Sequence, residues 1–211
     1  MQIISHRGLW KSLDERNTAV AFERSFAKGF GLETDLRDFD GDIYISHDVP
    51  INKKSIMRFS EFLEIYNDFK EDLSIALNIK SDGLQLKMKE ILEKNDIENY
   101  RLFDMSIPDQ KITNDHQLKF LTRLSDLEQK PIMHQESKGI WLDSFFSLWY
   151  NPSVIESYLK NNKEVWIVSP ELHNRNYYEM WKELKSELNI TSKNLYLCTD
   201  HPLEAKKYFY E

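Results

Sequence analysis

Eight short apolar runs recur along this chain, and stretches with helical spacing separate them. They are QIIS, GLETDLR, SIALNIK, YRLFDMS, LKFLTRLS, GIWLDSF, EVWIVSP and NLYLCTD. Strands that alternate with helices from end to end describe βα units around a parallel sheet. Eight of them in 211 residues point to an eight-stranded α/β barrel built as a single domain over 1–211, near the lower length limit of that fold. An open doubly wound sheet would carry a glycine-rich turn after its first strand, and SHRGLWKSLDERNT has none. One segment, GDIYISHDVP, breaks the alternation after the second run. It starts as a Gly-Asp turn, continues as a short strand and ends at Pro50.

The helical stretches carry their own marks. NTAVAFERSFAKG opens on a polar cap, places Phe22 and Phe26 four apart and closes at Gly29. GLQLKMKEILEKN aligns Leu84, Met88, Ile91 and Leu92 in one stripe, and NYYEMWKELKSELN does the same with Tyr177, Trp181, Leu184 and Leu188. Both stripes read as core packing. SIPDQKITND and SDLEQKPIMHQESK are less regular, and their helices read as short.

In a barrel of this kind the chemistry sits at the carboxyl ends of the strands. There, polar residues recur two apart, so that each pair shares a face: Glu33 with Asp35, Asn78 with Lys80, Asp104 with Ser106, Arg123 with Ser125, and Ser169 with Glu171. Strand ends are often polar simply because they reach water, and Arg123 and Glu171 have two readings, lining the pocket or, the favoured one, surface ion pairing. Glu33 and Asp35 make the sharpest demand. Two carboxylates held together and partly desolvated repel, unless a cation lies between them or one keeps a proton. Their hard oxygens suit Mg²⁺ or Ca²⁺.

His6 and Arg7 follow the first strand, and His47 with Asp48 follows the extra short one. Two histidines beside a carboxylate pair can accept and donate protons at neutral pH. Arg7 offers a planar fork and Lys80 a point charge for phosphate oxygens. Together these groups fit phosphodiester cleavage, in which phosphoryl charge is neutralised and a leaving alkoxide protonated. Glycosidase chemistry would need the carboxyls but not the cations. His116, His134, His173 and His201 read as structural. Trp141, near a strand end, has two readings: a lid over a cationic headgroup such as choline, or a core aromatic.

Composition narrows the class. With 28 Lys and Arg against 35 Asp and Glu, the net charge of -7 argues against a nucleic-acid partner. The single cysteine, Cys198, excludes a disulfide framework and fits a reducing compartment. MQIISHRG has no secretory pattern, and no apolar run approaches the roughly 20 residues of a membrane span, so the expected setting is cytoplasmic.

SHRG, NTAVAF, GFGLETDLRD, ISHD and LNIKSDGL, continued by FDMSIPD, GIWLDSF, VSPELH and LCTDHP in this order, resemble the glycerophosphodiester phosphodiesterase family over nearly the whole chain. The resemblance implies a (β/α)8 TIM barrel with a small insertion after strand 2, the segment that contains His47. It implies His6 and His47 as the acid/base pair, with their individual roles open, Arg7 as a phosphate contact, and Glu33 and Asp35 as ligands of a divalent metal. It further implies hydrolysis of a small glycerophosphodiester to sn-glycerol 3-phosphate and an alcohol, often through a cyclic phosphate. The chain departs from the family at Asn78, where a third carboxylate ligand commonly stands two residues before the lysine. An amide oxygen still coordinates Mg²⁺ or Ca²⁺ but adds no charge. Two other functions remain open on these residues: a silent barrel that binds an anion, and an enzyme that releases the cyclic phosphate.

Overall fold

The computed structural model describes residues 1–52, 56–69 and 73–211. The chain has the (β/α)8 TIM-barrel fold, its parallel strands in the sheet order β5-β4-β2-β1-β9-β8-β7-β6 with β3 off that path against β2. The strands are β1 Gln2–His6, β2 Gly31–Phe39, β3 Asp42–Ile45, β4 Ile75–Ile79, β5 Tyr100–Phe103, β6 Leu121–Leu124, β7 Gly139–Leu142, β8 Glu164–Val168 and β9 Leu195–Thr199. The helices are α1 Ala19–Ala27, α2 Phe59–Asp68, α3 Gln85–Lys94, α4 Ile107–Asp115, α5 Pro152–Lys160, α6 Tyr178–Glu187 and α7 Pro202–Tyr210. No described helix is long and apolar enough to cross a membrane. The chain groups into two compact units, Ser5–Phe120 and Met1–Ile4 with Leu121–Glu211.

In the unit Ser5–Phe120, β2 pairs in parallel with β4, and β4 with β5. The irregular segment is the antiparallel strand β3, which returns along β2 with Leu36 opposite Ile45. Phe22 and Phe26 of α1 are buried against the rings of α2, with Phe22 5.0 Å from Phe62 and Phe26 5.5 Å from Tyr66. Gly29 takes a φ of +72° just past α1, a conformation that costs a residue without Cβ little. The stripe on α3 is buried at Leu84, Met88, Ile91 and Leu92, as its spacing predicts. α4 is as long as α1, nine residues each. The Ser106 hydroxyl accepts from the Asp109 amide to cap α4, and Pro108 fits its first turn.

In the other unit, β6, β7, β8 and β9 pair in parallel, and Trp181, Leu184 and Leu188 are buried while Tyr177 is half-buried. Residues 125–138 form turns rather than a helix. Ser125 accepts through Oγ from the amides of Leu127 and Glu128, a side-chain turn that competes with helical hydrogen bonding.

β7 opens at Gly139, opposite Glu164 of β8. A Cβ there would lie 2.0 Å from the Glu164 carbonyl oxygen and 2.6 Å from its carbon. Backbone cannot yield as a flexible side chain does, so Gly139→Ala is expected to destabilise the chain by about 1–3 kcal/mol or more. Denaturant titration measures this, and an unchanged midpoint would mean that β7 and β8 separate freely at this end.

Candidate active site

All the candidate site residues apart from Trp141, namely His6, Arg7, Glu33, Asp35, His47, Asn78 and Lys80, lie in the unit Ser5–Phe120. The chain leaves β1 through a sharp turn in which Arg7 has φ +57° and Gly8 φ +93°. A Cβ on Gly8 would sit 2.7 Å from the Ala21 Cβ, so glycine lets the turn press onto α1. The Leu9 amide donates to Ala21 O at 2.9 Å, and the Arg7 amide donates to Glu33 O at 2.9 Å. The turn thereby sets His6 and Arg7 beside β2.

Glu33 and Asp35 are fully buried on β2. Asp35 pairs with two cations, Arg7 Nε on Oδ2 at 2.9 Å and Lys80 Nζ on Oδ1 at 3.3 Å. Glu33 receives the Arg7 main-chain amide at 3.3 Å, and its Oε2 lies 3.8 Å from His6 Nε2. Lys80 follows β4 and is anchored by its amide to Leu36 O at 3.0 Å. Asn78 is the register partner of Asp35 on the adjoining strand, so the two side chains share a face. His47 follows β3, with Nδ1 2.8 Å from Asp48 Oδ1 and its carbonyl accepting from Arg37 Nε at 2.9 Å. The two histidines differ in exposure, 14% for the His6 side chain and 48% for His47.

Electrostatics split the carboxylates. Burial, then the charge of Asp35, pushes the Glu33 carboxyl up to about 8 against the opposing pull of Arg7 and Lys80. Burial acts the same way on Asp35, but Arg7 and Lys80, with the Asn17 amide and His47, outweigh it and hold that carboxyl below its ordinary range. The repulsion foreseen for this pair is thus relieved by a proton on Glu33 or by a cation among the oxygens.

Among the described residues, no three His, Cys, Asp or Glu side chains converge as a metal-binding group. The oxygen set that remains is two carboxylates and an amide. Asn78 Oδ1 and Asp35 Oδ1 are both buried without a hydrogen-bond partner. Acceptors on one face of two adjoining strands, the Asn78 oxygen without a partner and the Asp35 oxygen met only by the Lys80 ion pair, fit a hard cation.

Asn17 belongs to this cluster, although in the sequence it reads only as the polar opening of NTAVAFERSFAKG. Its Nδ2 donates to Asp35 Oδ2 at 2.9 Å, and its Oδ1 accepts from Thr34 Oγ1 at 2.8 Å. Trp141, on β7 in the other unit, is buried with its ring 6.5 Å from that of Trp166.

Glu171 differs from its surface reading. The short turn Pro170–His173 folds it inward, where Oε2 accepts from Ser169 Oγ at 2.5 Å and Oε1 from Thr199 Oγ1 and the Asp200 amide. Burial raises its pKa despite these donors. Because the folded chain then binds the proton more tightly than the unfolded one, Glu171 favours folding at low pH, and that contribution is lost as pH rises from the ordinary carboxylate range through the raised value. Glu171→Gln is expected to flatten stability against pH across that window, as urea melts at a series of pH values measure; an unchanged slope would mean that Glu171 ionises freely in the fold.

No family model matches this sequence, and no curated protein matches it either. Solved structures do. The fold is that of glycerophosphodiester phosphodiesterases. A candidate glycerophosphodiester phosphodiesterase from Galdieria sulphuraria superposes with a TM-score of 0.80 at 14% identity, over 100% of this chain and 98% of its own. The glycerophosphodiester phosphodiesterase of Agrobacterium tumefaciens gives 0.69 at 15% identity over 99% and 98%. An Oleispira antarctica phosphodiesterase, in complex with the product sn-glycerol-3-phosphate, gives 0.70 at 13% identity over 100% and 97%.

Proposed function

We propose that this chain is a metal-dependent phosphodiesterase that hydrolyses small glycerophosphodiesters to sn-glycerol 3-phosphate and an alcohol. The observation that carries the reading is the cluster of Arg7, Lys80 and two buried carboxylates, with His6 on one of them. Arg7 and Lys80, each about a fifth exposed, hold the phosphoryl oxygens. Glu33, Asp35 and Asn78 hold a divalent ion, Mg²⁺ or Ca²⁺, which when bound supplies further neutralisation of phosphoryl charge.

His6, the less exposed histidine, takes the proton from the attacking hydroxyl, which is a neighbouring glycerol hydroxyl or water. As the new O–P bond forms, the P–O bond to the alcohol breaks and His47 delivers a proton to the departing oxygen. Where the glycerol hydroxyl was the attacker, water then forms a new O–P bond and breaks the ring P–O bond of the cyclic phosphate to give sn-glycerol 3-phosphate. Two features support this division of roles. Asp48 engages His47 Nδ1 and leaves Nε2 for the substrate, and a cavity of about 450 Å³ lined by Asn17, Ile45, His47 and Met57 has room for the alcohol. The buried thiol of Cys198 suits a reducing, cytoplasmic setting.

Incubation with a panel of glycerophosphodiesters, with added Mg²⁺ or Ca²⁺ and with chelator, tests the reading. Expected are sn-glycerol 3-phosphate, the free alcohol and loss of turnover in chelator. Full activity in chelator would remove the metal, a persistent cyclic phosphate would identify a transfer-only enzyme, and no turnover of any diester would leave an anion-binding barrel. Asn78→Glu restores a third carboxylate and is expected to tighten divalent binding about tenfold or more, since charge count tunes such sites. Calorimetry with Ca²⁺ reads this directly, and unchanged affinity would exclude position 78 from the ligand set.

A further inference from the structure

We propose that Asn17 is a positioning residue, which fixes the rotation of the Asp35 carboxylate and the main chain of Arg7 together. Three bonds carry the inference. The Asn17 amide N–H donates to Arg7 O at 3.0 Å, which closes the loop between β1 and α1. Its side-chain Oδ1 accepts from Thr34 Oγ1 at 2.8 Å, and its Nδ2 donates to Asp35 Oδ2 at 2.9 Å.

This amide has one orientation. Reversing it would set its oxygen against a carboxylate oxygen, two acceptors at 2.9 Å. Asp35 Oδ2 therefore accepts a hydrogen bond from Asn17 Nδ2 and meets Arg7 Nε in an ion pair at 2.9 Å. With Oδ2 pinned twice, the carboxylate plane is set. Oδ1 is turned toward Lys80 Nζ and, across the β2–β4 register, lies on the face shared with Asn78. Asn17 thus decides which oxygen of Asp35 is offered to a ligand and which is spent on the scaffold.

The position demands asparagine on two counts. Its backbone lies at φ +58°, a left-handed conformation that Asn and Gly enter most readily. Its side chain must both accept and donate from one planar group. Aspartate would keep the shape but set two anions together. Glycine would keep only the backbone. The inference concerns how Asp35 is held and stands whichever ligand the site takes.

Asn17→Gly is the test, because it preserves the positive φ and the N–H bond to Arg7 O while deleting both side-chain bonds. Three readouts apply to the full chain: the carboxyl ¹³C resonance of Asp35, Ca²⁺ affinity by calorimetry, and the thermal midpoint. The Asp35 resonance is expected to shift or split, and Ca²⁺ affinity to fall about 10- to 100-fold, the usual effect of losing a group that orients a ligand. A purely structural role would lower the midpoint and leave both unchanged in the folded protein. Thr34→Val removes the donor that orients the amide and serves as the second variant should Asn17→Gly fold poorly. It is expected to weaken Ca²⁺ binding less, and the double variant to be no worse than Asn17→Gly alone, since the two act through one chain of bonds. An unmoved Asp35 resonance in either variant, or losses that add in the double variant, would overturn the proposal. A wild-type chain that binds no Ca²⁺ would defeat the metal reading alone, and the Asp35 resonance would still decide this one.

Discussion

Asp35→Ala is expected to destabilise the chain by about 3–5 kcal/mol, the usual cost of removing one partner from a buried ion pair. Asp35 is fully buried and faces Arg7 and Lys80, whose own side chains are about four-fifths covered. Without it, two largely desolvated cations confront each other with no counter-charge. For a chain of this length each kcal/mol moves the unfolding midpoint by about 2–4 °C, so a fall of roughly 6–20 °C follows. Asp35→Asn keeps one oxygen facing Asn17 and Arg7 but loses the charge and turns an NH₂ donor toward Lys80, so it should fall between the wild type and Asp35→Ala. Thermal melts followed by circular dichroism measure both. A loss below about 2 °C in Asp35→Ala, at most about 1 kcal/mol on that scale, would show that water solvates Arg7 and Lys80 without help and that Asp35 is retained for ligands alone.

The strands and the carboxylate pair were open to reading because both follow one local rule, the period of two. GLETDLR places Glu33 and Asp35 on one face whatever lies above it, and β2 forms across that run. Asn78 pairs in register with Asp35 for the same reason. Asn17 obeys no such rule. It reaches β2 from a loop 18 residues earlier, through a left-handed backbone that no spacing announces. Glu171 eluded the reading differently, since a residue two past Ser169 on a strand would reach water, whereas the Pro170–His173 turn carries it back under Ser169 and Thr199. The missing helix at 125–138 has a similar origin in a single serine that satisfies two amides. Periodicity reports elements that repeat, and side chains that bond back onto the main chain end the repeat without leaving a period of their own.

His6→Ala and His47→Ala carry the largest expected effects on activity, a fall of about 10²–10⁴ in kcat for each, the usual share of a general acid or base. The substrate distinguishes them. His6 lies 3.8 Å from Glu33 and is mostly covered, a place for a group that takes a proton from the attacking hydroxyl, and that step is needed for every diester. His47 stands half-exposed on the wall of the cavity, where its proton matters only as far as the leaving oxygen needs one. A nitrophenyl diester leaves readily as an anion, so His47→Ala should recover most of its activity on that substrate, whereas His6→Ala should remain slow on both. In pH profiles His47→Ala should lose the limb that reports the acid and His6→Ala the limb that reports the base. Equal losses on both substrates in His47→Ala would reverse the assignment or remove His47 from proton transfer. Full activity in His6→Ala would end the case for His6, because no other described histidine approaches Glu33 within ion-pair distance.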